Sequence, residues 1–181
     1  MTVEQAVYYI IMLKLGFSEE FDAWLSRAQE EESPLSDLVL ELSFCGSDVD
    51  CTASVLLNHV VVGKEPDYDR LETLFRLFLL QKYRNGASAE EITRFMNRIN
   101  QVSFAHHYDH MFFSRPLCCL EYLEIGVVDD ASFLGYLDLY LTEGIAPDPM
   151  GSKTSPQPSL WQRIRSWRKT GKERKNHENS R

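Results

Sequence analysis

The spacing of apolar residues is the feature that most limits how this chain can fold. Between residues 88 and 99, four apolar side chains recur at i, i+3, i+4 and i+7: Ile92, Phe95, Met96 and Ile99. This spacing places them on one face of an α-helix. Ser88 and Glu91 stand three residues apart just ahead of that stripe and form a capping box. The sequence therefore predicts a helix that begins after Ser88.

Polar residues that can begin a helix and glycines that can end one recur along the first 144 residues. Helix starts are predicted at Thr2, Ser18, Ser33, Ser47 or Asp48, Asp67, Ser88 and Asp129 or Asp130, and glycine stops at Gly16, Gly46, Gly63, Gly86 and Gly144. The segment from Asp67 to Gly86 is apolar over most of its circumference, so we expect its helix at the centre of the core. Residues 103–125 are harder to assign, because Pro116 must break or restart a helix. No region alternates with period two, which argues against strands.

These patterns predict an all-α fold, a single domain of about eight helices packed as antiparallel hairpins with a flexible C-terminal tail. A chain of 181 residues that is 44% hydrophobic can bury one sizeable core. We expect the helical domain to span residues 1–144. A proline-rich tether over residues 145–158 and a basic amphipathic tail over residues 159–181 complete the predicted organisation.

Location is predicted from hydropathy and cysteine content. No apolar run is long enough to cross a membrane, and the apolar segment "AVYYIIMLKLGF" follows Glu4 rather than a basic region, unlike a signal peptide. Cys118 and Cys119 are adjacent, so the four cysteines make a poor disulfide framework. We expect reduced thiols and a cytoplasmic protein.

The net charge of −8 is divided unequally along the chain. Residues 147–181 contain nine basic and three acidic side chains, a net charge of +6. The preceding 146 residues contain 10 basic and 24 acidic side chains, a net charge of −14. An acidic body of this kind repels nucleic acid and anionic membranes and attracts basic surfaces.

The basic tail has the pattern of an amphipathic helix. Ser159 and Gln162 form a possible capping box, and Gly171 is a suitable stop. The predicted binding residues of the tail are Leu160, Trp161, Arg163, Ile164, Arg165, Trp167, Arg168 and Lys169. Such a segment can contact a protein groove, an anionic membrane, nucleic acid or the acidic body of its own molecule. The alternative is a passive, solubilising tail.

A weak candidate for a metal site lies in "HHYDHMFFSRPLCC". If this stretch were helical, His106 and His110 would share a face, and Cys118 or Cys119 could supply a thiolate. The stretch lacks the glutamate of H-E-x-x-H and any C-x-x-C pair. The favoured interpretation is therefore that the histidines pack or are solvated and that the cysteines are small buried side chains. We predict no metal and no cofactor.

The stretch "FCGSDVDC" is a second weak candidate, either for ion binding or for a reactive Cys51 with His59 as its base. Its position favours a structural role, because Gly46 can end one helix and Ser47, Asp48 or Asp50 can cap the next. No phosphate-binding loop and no nucleophile elbow is present in the sequence. No small-molecule substrate is indicated.

We therefore expect a non-enzymatic protein-binding module, above all a stoichiometric inhibitor of the immunity type that occludes a basic partner with its acidic helical surface. In size and charge the chain is similar to small acidic proteins that neutralise bacterial nuclease toxins, so the partner would be a toxin. One alternative is an adaptor tethered by the tail to membrane or nucleic acid. A further alternative is a metal-dependent enzyme using residues 106–119.

Overall fold

A computed structural model describes residues 1–106, 108 and 110–145. Within these residues the chain forms eight α-helices and no strand, so the predicted all-α fold is confirmed. Except for Ile145, the predicted tether and tail lie outside the described residues.

The helices follow one another with short connections. Their bounds are α1 Val3–Lys14, α2 Glu19–Glu31, α3 Asp37–Cys45, α4 Val49–Leu56, α5 Tyr68–Arg84, α6 Ala89–Ala105, α7 Ser114–Glu124 and α8 Asp130–Glu143. A single π-helical turn, Leu57–Val61, continues α4. Pro116, which made residues 103–125 hard to assign, lies in the first turn of α7, where a proline is tolerated.

Most of the predicted helix ends are confirmed by their hydrogen bonds. The Ser88 hydroxyl accepts a hydrogen bond from the Glu91 N–H at 3.2 Å, and the Glu91 carboxylate accepts one from the Ser88 N–H at 2.7 Å. Asp129 caps α8 by accepting from the Ser132 N–H at 2.7 Å, and Gly144 ends that helix with a φ of 71°. These bonds satisfy backbone groups that the first and last turns of a helix leave unpaired.

The predicted start at Ser33 is wrong, because α3 begins at Asp37 with Ser36 as its N-cap. The Glu32 carboxylate explains the shift. It accepts hydrogen bonds from both the N–H and the hydroxyl of Ser36, at 3.0 and 2.7 Å, and so holds residues 32–36 in a turn. These two bonds also lower the pKa of Glu32.

The central helix is α1 rather than the predicted α5. Seven of the twelve residues of α1 are buried, against five of the seventeen residues of α5. Helix α1 packs against α2, α4, the π-helical turn, α5 and α6, whereas α3 packs on α2 and α4. Exposed charged side chains such as Asp69 and Arg70 keep one side of α5 in solvent. Helices that are consecutive in the sequence pack against each other, as expected for helical hairpins. These pairs are α1–α2, α2–α3, α3–α4 and α5–α6.

Phe75 on α5 lies at the centre of a buried aromatic cluster. Its ring centroid is 5.3 Å from that of Tyr8 on α1 and 5.3 Å from that of Phe112. The Asn100 side-chain amide donates a hydrogen bond of 2.8 Å to the Phe112 carbonyl. Phe113 is fully buried with a φ of 59°, an uncommon conformation for an aromatic residue. The segment after α6 is thus held in place by its rings and by Asn100.

The described residues fall into two compact units. The first is Met1–Leu117, and the second begins at Cys118. In the second unit, Phe133, Leu137, Tyr140 and Leu141 are buried, as the helical stripe of α8 predicts. The domain boundaries at residues 144 and 158 remain predictions. Among the described helices none is long and apolar enough to cross a membrane.

Candidate protein-binding surface

The outward side of α3 presents acidic and apolar side chains together. Asp37, Leu40, Glu41 and Phe44, which we call the α3 outer face, are all exposed. They follow the i, i+3, i+4, i+7 spacing of a single helix face. Val39, Leu42 and Cys45 point the other way and are buried. Helix α3 therefore buries one apolar side and leaves a second apolar side in solvent.

Phe44 is the most prominent apolar side chain of this face. It is 81% exposed, the highest value among the large hydrophobic residues that the structure describes, and Leu40 is 43% exposed. Aromatic side chains ringed by polar groups are the residues on which protein–protein affinity most often depends. Asp37 and Glu41 lie on the same helix face as Leu40 and Phe44, so the α3 outer face combines apolar and acidic side chains.

A disulfide between Cys45 and Cys51 joins the end of α3 to the first turn of α4. The expectation of four reduced thiols is therefore wrong for this pair. The two cysteines stand only six residues apart, a spacing that does not by itself distinguish a disulfide from two free thiols. The turn between the helices brings the Cα atoms of Cys45 and Cys51 to 5.5 Å, which suits a disulfide.

Backbone capping in the same turn follows the predicted structural role of "FCGSDVDC". Gly46 ends α3 with a φ of 57°, a conformation that favours glycine. Asp48 caps α4 by accepting hydrogen bonds from the N–H groups of Asp50 and Cys51 at 2.9 and 3.0 Å. The disulfide and these caps fix the backbone immediately beside Phe44.

The weak candidate pairing of a reactive Cys51 with His59, which the sequence disfavoured, is not formed. Cys51 is held in the disulfide, and the His59 Nε2 atom lies 3.0 Å from a carboxylate oxygen of Glu41. His59 lies in the π-helical turn, which carries it to the edge of the α3 outer face. Its contact with Glu41 ties α3 to the end of α4.

Helices α2 to α4 form the acidic side of the first unit. Residues 19–50 contain ten acidic side chains and one basic side chain, Arg27, a net charge of −9. All of the acidic side chains except Glu32 are exposed. A hydrogen bond from Lys14, together with its charge, lowers the pKa of Asp50 and keeps that carboxylate ionised. The α3 outer face thus lies within a broad negative field.

Contacts between α2 and α3 keep this side together. The Gln29 amide donates a hydrogen bond of 2.7 Å to the Ser43 hydroxyl, and that hydroxyl donates one of 2.7 Å to the Val39 carbonyl. These bonds tie together two of the helices that carry the acidic side.

The weak metal candidates do not share a helix face. Helix α6 ends at Ala105, so His106 and His110 are not one helical turn apart. The His110 ring stacks on Tyr68 with centroids 4.5 Å apart. Cys118 and Cys119 are free cysteines of the second unit, and burial raises the pKa of Cys119, which disfavours a thiolate. The described residues contain no group of three or more potential ligands.

The binding residues predicted in the tail, Leu160, Trp161, Arg163, Ile164, Arg165, Trp167, Arg168 and Lys169, lie outside the described residues. Comparison with protein families, curated proteins and solved structures gives no match. The candidate surface is accordingly argued from its own geometry and charge.

We predict that the purified, air-exposed protein has two reactive thiols when unfolded without reductant and four after reduction, because Cys118 and Cys119 are the free cysteines. Thiol titration in denaturant measures this. The control, Cys45→Ser with Cys51→Ser, should give two thiols under both conditions. That variant should also lose about 2 kcal/mol of unfolding free energy, as expected for a loop this short. Four thiols without reductant would contradict the prediction.

Proposed function

We propose that this protein is a non-enzymatic binding module, a stoichiometric inhibitor of the immunity type that occludes a basic partner protein with its acidic helical surface. The observation that supports this most directly is the α3 outer face, where an 81% exposed phenylalanine shares one side of the helix with Asp37 and Glu41. The basic partner would be a toxin whose active surface is covered in a 1:1 complex.

Charge and shape support a protein partner over a small ligand. The net charge of −9 over residues 19–50 attracts a basic surface and speeds its approach. Phe44 and Leu40 then provide apolar surface that becomes buried on contact, which stabilises the complex. An exposed helix face of this kind can cover the site of another protein, whereas it offers no enclosed place for a reaction.

A cytoplasmic location stays a prediction from the sequence. The Cys45–Cys51 disulfide weighs against it, because reducing compartments keep most thiols reduced. The inhibitor proposal does not depend on the compartment, since charge attraction and apolar burial act in either.

The test compares two variants that each lose three negative charges from exposed positions. One changes the acidic side, with Glu30→Gln, Asp37→Asn and Glu41→Gln. The control changes α5, α6 and the loop before α5, with Glu65→Gln, Asp69→Asn and Glu90→Gln. The two sets are matched, because Asp37 and Asp69 lie in first helical turns and Glu41 and Glu90 each pair with a basic side chain, His59 and Arg94.

We expect the full-length protein to bind a basic protein from its native cells at 1:1 stoichiometry, with an association rate that falls as salt rises. The acidic-side variant should associate on the order of tenfold more slowly at low salt, whereas the control should change little. Surface plasmon resonance across a salt series measures both rates. Equal effects of the two variants, or association indifferent to salt, would contradict the proposal.

A further inference from the structure

A cleft lined by aromatic rings opens between α1, α2 and α5, apart from the α3 outer face. Its volume is about 240 Å³. Small-molecule and cofactor sites usually enclose roughly 300–1,000 Å³, so this cleft is matched to a single side chain. Five aromatic residues form most of its apolar wall: Tyr8, Tyr9, Phe17, Phe21 and Phe78.

The ring contacts within the cleft form two groups. At one end, the centroid of Tyr9 lies 5.7 Å from that of Tyr8 and 5.6 Å from that of Phe21. At the other end, Phe17 and Phe78 have centroids 5.2 Å apart. Tyr9 in the first group and Phe17 in the second are only half-buried, so these two rings are the ones that the cleft exposes.

The second end already holds a cation from the chain itself. The Lys82 ammonium lies 4.8 Å from the Phe17 centroid and 5.3 Å from the Phe78 centroid, within the range of a cation–π contact. Lys82 forms no ion pair with any residue that the structure describes. The aromatic wall, rather than a carboxylate, therefore holds this positive charge.

The first end carries the negative charge. Glu19 and Glu20, in the first turn of α2, line the cleft, and Glu20 lies at the Tyr8–Tyr9 end. The Tyr8 hydroxyl donates a hydrogen bond of 3.0 Å to Glu20. Burial, followed by the charge of Glu20, raises the pKa of both Tyr8 and Tyr9, and Arg27 opposes the rise at Tyr9 by a smaller amount. The Tyr8–Tyr9 end is thus an aromatic surface in a negative field.

We propose that this cleft binds the guanidinium group of an arginine side chain at its Tyr8–Tyr9 end, against the half-buried ring of Tyr9 and beside the Glu20 carboxylate. A guanidinium ion is planar, stacks on aromatic rings and donates hydrogen bonds to carboxylates in its own plane. The arginine comes from the basic partner, a part of the inference that rests on the proposed function. The cleft then supplies an anchoring contact in addition to Phe44.

The test uses N-acetyl-arginine amide, which carries one positive charge, and N-acetyl-citrulline amide, its neutral analogue of nearly equal shape. Both are titrated into the full-length, isotope-labelled protein, and backbone amide shifts of cleft residues are followed by NMR. We expect saturable shifts with the arginine probe and a Kd on the order of 1–10 mM, the scale of one cation–π contact with one charge-assisted hydrogen bond. The citrulline probe should bind at least tenfold more weakly.

Three variants locate the site. Glu20→Gln keeps an acceptor for Tyr8 but removes the charge, so it should weaken arginine binding about three- to tenfold. Glu90→Gln makes the same change in the first turn of α6, outside the residues that line the cleft, and should leave binding unchanged. Lys82→Met removes the like charge from the far end and should strengthen binding. Any one of three results would contradict the proposed site. These are equal affinity for both probes, equal affinity of Glu20→Gln and wild type for the arginine probe, and weaker binding of that probe by Lys82→Met.

The probe titration and the partner experiment fail independently. If no basic partner with salt-dependent association exists, the inhibitor proposal fails while the response to the arginine probe is unaffected. If the probe binds as expected but Glu20→Gln binds the partner with wild-type affinity, the partner is not the source of the arginine, and that part of the inference is overturned.

Discussion

Phe75→Ala is expected to lower the free energy of unfolding by about 3–5 kcal/mol. The Phe75 side chain is fully buried and contacts the rings of Tyr8 and Phe112, so its removal leaves a cavity where α1, α5 and the segment after α6 meet. Because whole domains are commonly stable by only about 5–15 kcal/mol, a loss of this size should be obvious. Urea unfolding followed by far-UV circular dichroism measures it.

Leu77→Ala provides the matched control for this prediction. Leu77 is two residues further along α5 and is 50% exposed, so its truncation should change the unfolding free energy by about 0.5 kcal/mol or less. Similar effects of the two substitutions would contradict the placement of Phe75 in the core. A stable Phe75→Ala protein would also contradict the packing of Phe112 against α5.

Phe44→Ala is expected to weaken the proposed complex with a basic partner by about 30- to 1,000-fold. This corresponds to the roughly 2–4 kcal/mol that a central aromatic anchor contributes at protein interfaces. The loss should appear mainly as faster dissociation, since the carboxylates that guide the approach are untouched. Because Phe44 is 81% exposed, the unfolding free energy should shift by about 0.5 kcal/mol at most. Calorimetric titration and thermal unfolding of the same sample separate the two effects.

Phe104→Ala is the control for the binding prediction. Phe104 is an exposed aromatic residue on α6, 43% exposed, and it lies outside the acidic side. Its truncation should leave affinity within about twofold of wild type, as for a surface residue outside an interface. A complex that tolerates Phe44→Ala as well as Phe104→Ala would show that the α3 outer face is not where the partner binds.

Local signals in the sequence predicted the helices well. Capping boxes and glycine stops act over three or four residues, so Ser88, Glu91 and Gly144 could be identified without knowledge of tertiary structure. The start of α3 was predicted wrongly, because a local signal can also mislead. Ser33 looks like a cap, but the carboxylate of Glu32 binds Ser36 instead and moves the helix start three residues onward.

Tertiary features were harder to predict. The central position of α1 depends on which apolar helix is surrounded by others, and α5 has similar local composition with more charge on one side. The α3 outer face could have been predicted from the sequence. Leu40 and Phe44 lie on the opposite side of the helix from Val39 and Leu42, and a helix at the surface can bury only one of these two sides. The aromatic cleft could not be predicted from any local pattern, because it is formed by residues 8–21 and residues 78–85, which are far apart in the sequence.

The charge distribution of the first unit also affects how a partner approaches before any contact forms. Residues 19–50 carry a net charge of −9, whereas residues 68–105, with four acidic and six basic side chains, carry +2. Helix α1 packs against helices from both segments. The unit therefore has a permanent electric dipole, and a positively charged protein exerts a torque on it at distances up to about a Debye length, roughly 8–10 Å. This torque turns α2–α4 toward the approaching protein. Productive encounters are therefore more frequent than random rotation alone would give.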